Sequence, residues 1–285
     1  MAAASVASGS AAAPIRASAR IVTNEAEGSG RRLVLEVPGW PGARPGQFVM
    51  LGAGAASAAI RRDPLLPRPM AVYRDRSRDG GDGEPGEIEI LYRVVGRGTT
   101  LLSEAESGQS LSIVGPLGRG FPIEDVGGPA LLVGGGSGIA SLYELAAALS
   151  RAGRPVQLAL GARSAADLIG RDDFAALPGV SLVCTTEDGS YGEPGRVTGP
   201  LEEWLDRSAG NATVFACGPT PMMRVCAELA AARGARCLVS LENPMACGFG
   251  VCLGCAAPRR EGGFSLVCRD GPVFEASEIA WEGMP

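Results

Sequence analysis

The chain has 285 residues, enough for about two domains. A net charge of −5 without any basic block argues against a nucleic-acid partner, and no run of 18 apolar residues is present to cross a membrane as a helix. Histidine is absent, which removes imidazole acid–base chemistry, Rieske ligation and His-type zinc sites, so chemistry must rest on carboxylates, thiols or bound cofactors.

The first 20 residues are mostly Ala and Ser, with Arg16 and Arg20 and no acid. They lack the apolar core of a secretory signal. A transit peptide is conceivable, and a disordered tail over residues 1–16 is the preferred expectation. Residues 17–122 read as β-structure. Arg32–Val37, Gln47–Leu51, Glu87–Val95 and Ser110–Val114 are short runs of alternating or β-branched apolar residues. They are separated by Pro-Gly pairs at 38–39, 41–42 and 45–46 and by the glycine-rich stretch Gly80–Gly86. Strands at this spacing predict a small barrel, with one helix over Thr99–Ala105.

Residues 126–240 change character. Pro129–Val133, Val156–Gly161, Ser181–Thr185, Ala212–Ala216 and Ala235–Ser240 read as strands. Helices are predicted between them at Ile139–Ala152, Asp167–Leu177, Gly199–Asp206 and Thr220–Arg233. Strands alternating with helices predict a Rossmann-like parallel sheet. Residues 241–285 read as a cysteine loop with a short tail.

Three segments in these two regions carry candidate chemistry. Arg68-Pro69-Met70-Ala71 and Leu91-Tyr92-Arg93, the latter leading to Gly98-Thr99, form a plausible anion site. Arg68 and Arg93 can neutralise phosphate, and Thr99 with the N–H groups of its helix can bind it. Solvated surface arginines are the plain alternative. Gly134-Gly135-Gly136-Ser137-Gly138 joins a strand to a helix, as a pyrophosphate-binding turn does, although it is not the strict G-x-G-x-x-G pattern; it also suits a tight βα turn. Cys217-Gly218-Pro219 closes another strand, where ligands bind in α/β sheets. Cys217 is placed either beside a nicotinamide or as a buried small residue.

Cysteine usage is divided. Cys184, Cys217, Cys226 and Cys237 lie singly in apolar stretches, which fits a reducing cytosol better than a disulfide framework. Cys247, Cys252, Cys255 and Cys268 have the spacing C-x4-C-x2-C-x12-C. The first three match the plant-type [2Fe–2S] run, in which each iron takes two thiolates. Gly248, Gly250 and Gly254 let the backbone curl so that N–H groups can point at sulfur. A zinc site with four cysteine ligands usually shows two C-x2-C pairs, and only one pair here has that spacing; scattered buried thiols are the third reading.

In chain order the motifs are R-P-M-A, Y-R-V-V-G-R-G-T, G-P-L-G-R-G-F, G-G-G-S-G-I, T-x-E-D-G-S-Y-G, C-G-P and M-A-C-G-F-G-V-C-L-G-C. From about residue 17 to residue 275 the chain resembles the ferredoxin-reductase superfamily, and within it the electron-transfer subunits of class 1B dihydroorotate dehydrogenases. The resemblance implies an FAD-binding β-barrel, an NAD-binding α/β domain and a C-terminal [2Fe–2S] loop. It implies FAD contacts from Arg68-Pro69-Met70-Ala71, Leu91-Tyr92-Arg93 and Gly98-Thr99, and cluster ligation by Cys247, Cys252, Cys255 and Cys268. Gly134, Gly135, Gly136, Gly138, Cys217, Gly218 and Pro219 would face NAD, with Asp188-Gly189-Ser190 at the border. Two positions depart from the family pattern: Ala71 stands where Ser is usual, and Ser141 where Pro is common.

The resemblance further implies an FMN-containing catalytic subunit as partner, two copies of each subunit, a cytoplasmic location and a place in UMP biosynthesis. Electrons from dihydroorotate would cross singly to the cluster, then to FAD, and leave as a hydride to NAD⁺. No side chain of this chain is assigned as catalytic, since hydride transfer needs orientation rather than a protein base. Sister subunits of sulfide dehydrogenases or NADPH–ferredoxin oxidoreductases are the main rival. Some of these resemble the chain except for Asp at the first ligand, so Cys247 favours the dihydroorotate group. The 45 residues from 241 to 285 are too few for the separate ferredoxin domain of an oxygenase reductase. A zinc-bearing scaffold would leave the R-P and G-T segments unexplained. Arg163, after the second nucleotide-domain strand, would meet the 2′-phosphate if the nucleotide were NADP; the resemblance favours NAD.

Overall fold

A computed structural model describes residues 13–54, 64–77, 85–208 and 210–284. Most of the expected tail, and residues 80–84 of the glycine-rich stretch, lie outside the described residues.

The first unit contains β1 (Ile15–Glu27), β2 (Gly30–Val37), β3 (Phe48–Leu51), β4 (Arg68–Ala71), β5 (Arg74–Asp75) and β6 (Gly86–Tyr92). Helix α1 (Arg97–Ser103) and β7 (Ser110–Leu117) follow. All pairings are antiparallel, in the order β4-β3-β7-β1-β2-β6-β5. The expected barrel is a curled sheet, a half-barrel in which β4 comes close to β6. Its inner face is a core of alternating residues, Leu33, Leu35 and Val37 on β2 with Ile88 and Ile90 on β6. Ile15 and Arg16, assigned by sequence to the tail, open β1 and pair with Gly115 and Val114 of β7. Two of the barrel predictions shift at one end: the strand read to Val95 stops at Tyr92, and α1 begins at Arg97 rather than Thr99.

The second unit begins with β8 (Ala130–Gly135), α2 (Tyr143–Arg151), β9 (Val156–Ala162), α3 (Arg171–Ala175) and β10 (Val180–Thr186). It continues with β11 (Glu193–Pro194), α4 (Thr198–Ser208), β12 (Thr213–Cys217), α5 (Thr220–Ala232) and β13 (Arg236–Ser240). The sheet order is β11-β10-β9-β8-β12-β13, parallel throughout. Both faces are covered, so each strand alternates between two cores. Leu131 and Val133 of β8 face α4 and α5, whereas Ala130 and Leu132 pack with α2 and α3 residues such as Leu145 and Phe174. Strand order reverses between β8 and β12, and that crevice is the topological switch point.

Two predicted helices are broken. Gly134–Gly138 leads not into a continuous helix but into a 3-10 turn over Gly136–Leu142, with α2 starting only at Tyr143. The predicted Asp167–Leu177 helix is a 3-10 turn at Ala165–Asp167 and the short α3, parted by Gly170 at φ 75°. A Cβ at Gly170 would stand 2.7 Å from the Tyr73 hydroxyl, so the break lets the first unit pack against the second.

Residues 241–285 are more than a loop. They contain the hairpin of β14 (Ala256–Pro258) and β15 (Phe264–Leu266), then α6 (Val267–Asp270) and β16 (Val273–Glu275). β16 pairs antiparallel with β13, so this segment completes the nucleotide sheet instead of standing apart from it. The stretch before β16 reaches the half-barrel as well, where Arg119 N–H donates to Gly271 O at 2.5 Å, while Leu241 N–H, at the end of β13, donates to Pro272 O at 2.9 Å.

A polar network fixes the half-barrel against the nucleotide unit. Arg32 bridges Glu27, the fully buried Glu89 and Asp173. Asp173, on α3, also accepts from the Tyr73 hydroxyl at 2.7 Å and pairs with Arg74 at 3.0 Å. Burial opposes the charge of Asp173, but the Tyr73 hydroxyl and the Arg32 and Arg74 guanidinium groups outweigh it and hold the carboxyl below its usual value.

Candidate functional site

A cleft of about 320 Å³ lies between the half-barrel and the nucleotide sheet. Eight predicted residues line it: Arg68, Pro69, Met70 and Ala71 on β4, Leu91, Tyr92 and Arg93 at the end of β6, and Thr99 on α1. The facing wall is Ser137, Ala140 and Ser141 of the glycine turn, with Ser240 to Asn243 at the end of β13. Gly98 acts from behind. A Cβ there would fall 2.5–2.6 Å from the Arg68 guanidinium, so the bare glycine is what lets Arg68 lie along the cleft.

Several side chains are already engaged. The Tyr92 hydroxyl donates to Asn24 Oδ1 at 3.0 Å, which leaves its ring rather than its oxygen for a bound group. The Thr99 hydroxyl donates to Gly96 O and accepts from the N–H groups of Val95 and Gly96. That exhausts it, so an anion at this helix must be met by backbone N–H groups. Arg93 pairs with Asp167 of the nucleotide unit at 2.9 Å, which ties its charge across the domain boundary.

The predicted nucleotide residues gather at the switch point, outside the cleft lining. Cys217 pairs in register with Gly134. A Cβ on Gly138 would stand 2.5 Å from the Cys217 carbonyl and the Gly218 nitrogen, and one on Gly135 would stand 2.5 Å from Met222 Sδ. These glycines therefore answer close packing. Gly136 is different: φ is 55° and nothing lies within 4 Å, so its backbone borders open space that a phosphate can enter. Pro219 precedes α5 and accepts from the N–H groups of Met222 and Met223. The Cys217 thiol is fully buried, donates to Ser240 O at 3.4 Å and is pushed up to about 12, chiefly by burial. It packs as a buried residue at the end of β12, outside the described cleft lining. Ser141, at the position where Pro is common, supplies a hydrogen bond to that sulfur. The Asp188-Gly189-Ser190 loop folds back on the end of β9, with Asp188 N–H donating to Arg163 O at 3.1 Å.

The four loop cysteines group two and two. Cys255 and Cys268 stand 3.2 Å apart, sulfur to sulfur. Cys247 is hydrogen-bonded with Cys252. Among the described residues no three potential ligands converge on one point. A [2Fe–2S] cluster takes two thiolates at each of its irons, and four thiols within one loop are donors of that kind. N–H groups point at sulfur as the glycines predict: Gly250 donates to Cys268 at 3.1 Å and Phe249 to Cys247 at 3.4 Å. Burial opposes ionisation of Cys247, but N–H groups of Cys252, Phe249 and Val251 prevail and bring the thiol down to about 6. Gly248 and Gly250 take φ near 80°, and Leu253 is held at φ 61°, a costly conformation for a side-chain-bearing residue. Phe249, Val251 and Leu253 project into solvent from this loop.

Comparison with known proteins decides the family. The chain is 40% identical over 240 residues to the dihydroorotate dehydrogenase B (NAD(+)) electron transfer subunit of Bacillus caldolyticus, covering 83% of this chain and 86% of that one. This chain belongs to that family. Its counterpart from Caldanaerobacter subterraneus subsp. tengcongensis is 39% identical over 260 residues, covering 88% and 95% of the two chains. The family model for the iron–sulfur cluster binding domain of dihydroorotate dehydrogenase B matches residues 242–280, which hold all four loop cysteines. The oxidoreductase NAD-binding domain matches residues 132–228, which hold the glycine turn and Cys217-Gly218-Pro219. Among solved structures, a chain of the NADH-dependent reduced ferredoxin-NADP oxidoreductase is 31% identical with a TM-score of 0.77, covering 93% of this chain and 90% of that one. The ferredoxin reductase of carbazole 1,9a-dioxygenase shares the fold at 20% identity and a TM-score of 0.61, covering 78% and 67%.

As an electron transfer subunit of this family the chain is an oxidoreductase component that works with FAD, a [2Fe–2S] cluster and NAD, and its family name implies a catalytic partner. No helix among the described residues is long and apolar enough to cross a membrane.

Two cleft residues escaped the sequence reading. Glu242 and Asn243 follow β13 directly, and a charged-polar pair at the end of a buried strand beside the switch point was the available signal. Asn243 is 7% exposed; its Nδ2 donates to Ala256 O at 3.2 Å, and its Oδ1 has no partner. Orphaned buried acceptors are rare in folded proteins, and this one stands in a wall facing a ligand cleft.

Proposed function

We propose that the cleft holds the isoalloxazine of FAD, that Cys247 with Cys252 and Cys255 with Cys268 each hold one iron of the cluster, and that NAD⁺ enters at the Gly136 turn. The carrying observation is the order of these parts along one stretch. Ser240 to Asn243 wall the cleft, Met245 still lines it, and Cys247 begins the cluster loop two residues later. A flavin in the cleft therefore lies next to the cluster on one side and the switch point on the other. FAD converts single electrons into a hydride, which a nicotinamide requires. Around it this chain's residues bind and orient: the β4 and β6 residues line one wall, Gly98 keeps Arg68 along the cleft, and Gly136 leaves room for a phosphate.

The partner reading rests on the same loop. Phe249, Val251 and Leu253 form an apolar rim over the cysteines, suited to docking against the FMN-containing subunit that oxidises dihydroorotate, with two copies of each subunit in the assembly. Cys247 stands where some sister oxidoreductases carry Asp, which favours the dihydroorotate partner. Four buried unpaired cysteines suit the cytoplasm. Anaerobic titration of the purified chain with NADH tests the site: flavin and iron–sulfur absorbance should both bleach, and a colourless zinc protein would refute it. Co-purification identifies the partner.

A further inference from the structure

Electrons leave a cluster without protons, but a flavin does not take them alone. Two-electron reduction follows FAD + 2 e⁻ + H⁺ → FADH⁻, whereas the nicotinamide side is balanced by the hydride, FAD + NADH → FADH⁻ + NAD⁺. Traffic between flavin and cluster therefore needs a group that gives or takes one proton for each two electrons, and traffic with NAD does not.

Few groups in the cleft wall can do this. The chain has no histidine. Arg68 and Arg93 stay protonated. Tyr92 is hydrogen-bonded to Asn24, and burial pushes its hydroxyl further up. The Cys217 thiol lies behind the wall, pushed up to about 12. Glu242 is the one carboxyl among the described lining residues.

Its setting fits the task. Glu242 follows β13 and lines the cleft, where the residue is exposed rather than packed away. No ion pair or hydrogen bond holds the carboxyl among the described residues, so it is free to turn toward a bound group and to exchange protons with solvent. Desolvation by the surrounding protein pushes it up from the ordinary carboxylate value. Beside it, the unpartnered Oδ1 of Asn243 marks this part of the wall as built against a polar ligand.

We propose that Glu242 gives a proton to the cleft flavin when electrons arrive from the cluster, and takes it back when they return. The inference rests on the cleft being the flavin site. It is tested with the full chain bound to its partner subunit, mixed anaerobically with NADH, following flavin and cluster absorbance in one turnover. In Glu242→Gln, flavin bleaching by NADH should stay within about threefold of the unsubstituted protein, while passage of the second electron of each flavin through the cluster to the partner, the one that leaves a proton behind, slows by roughly 100-fold. Glu242→Asp should recover part of the loss. Infrared redox-difference spectra should show a protonated-carboxyl band that changes with flavin state and is missing from Glu242→Gln. Equal slowing of both phases, no slowing of the second, or loss of flavin from Glu242→Gln would overturn the assignment. An unsubstituted protein without flavin would instead overturn the placement of the cofactor.

Discussion

The thiols of Cys255 and Cys268 meet at 3.2 Å although 13 positions separate them in the chain. Cys247 and Cys252 form the other pair. If Cys255 and Cys268 share one iron as proposed, replacing Cys268 by Ser removes one of its two sulfur ligands. The unsubstituted protein should contain about two irons and two sulfides per chain. The variant should lose visible cluster absorbance and most of its iron while keeping its flavin, as iron analysis alongside the flavin spectrum will show.

Gly98 and Arg68 offer a cleaner probe of the wall proposed to hold the flavin. A Cβ at position 98 meets the flexible end of Arg68 rather than backbone, so Gly98→Ala should displace the guanidinium with little loss of fold. Thermal stability should fall by less than about 1 kcal/mol, and FAD affinity, measured by fluorescence on reconstitution, should weaken by about tenfold as one charge-assisted contact is lost.

Asp173 links α3 to Arg32, Tyr73 and Arg74 of the half-barrel. The groups are half-buried, so Asp173→Asn should cost about 1–3 kcal/mol, below the loss for a fully buried pair. The carboxyl is held below its usual value, so its contribution is present above about pH 3.9 and fades as pH falls through the lower folded value. Acid unfolding monitored by circular dichroism should therefore begin at higher pH in Asp173→Asn than in the unsubstituted protein, whose extra stability is lost only as pH falls through the lowered value. The variant should show a shallower acid limb.

Val251 is 81% exposed at the tip of the cluster loop. Val251→Glu places a charge in the apolar rim and should leave cluster and flavin spectra intact. Association with the catalytic subunit should weaken by at least about tenfold in sedimentation or co-elution. Unchanged association would move the partner contact elsewhere.

The parts of this protein that were legible in its sequence are those whose chemistry is local. Metal ligation demands thiols at set intervals, and a phosphate turn demands glycine, so Cys247 to Cys268 and Gly134 to Gly138 stand out without a structure. What stayed hidden depends on packing between distant segments. β1 turns Ala19 inward as readily as Ile21, and small inward residues give no apolar alternation to read. Gly170 interrupts a helix because Tyr73, far away in sequence, needs the space. The sequence left Cys217 either beside a nicotinamide or buried; its thiol turns to Ser240 O, which only the pairing of β12 with β13 makes available. Glu242 was overlooked because its signal, a charged-polar pair after a strand, gains meaning only once the sheet order places that strand beside the switch point.

The short run Gly271-Pro272-Val273 touches all three parts of the chain: Arg119 at the edge of the half-barrel, Ser240 and Leu241 at the end of the nucleotide sheet, and, three residues back, Cys268 of the cysteine loop. Heating should therefore not peel these units apart one by one. Calorimetry should record a single transition, and the brown of the iron–sulfur chromophore should fade at the same temperature at which the flavin is released, so that colour alone reports whether the whole molecule is still folded.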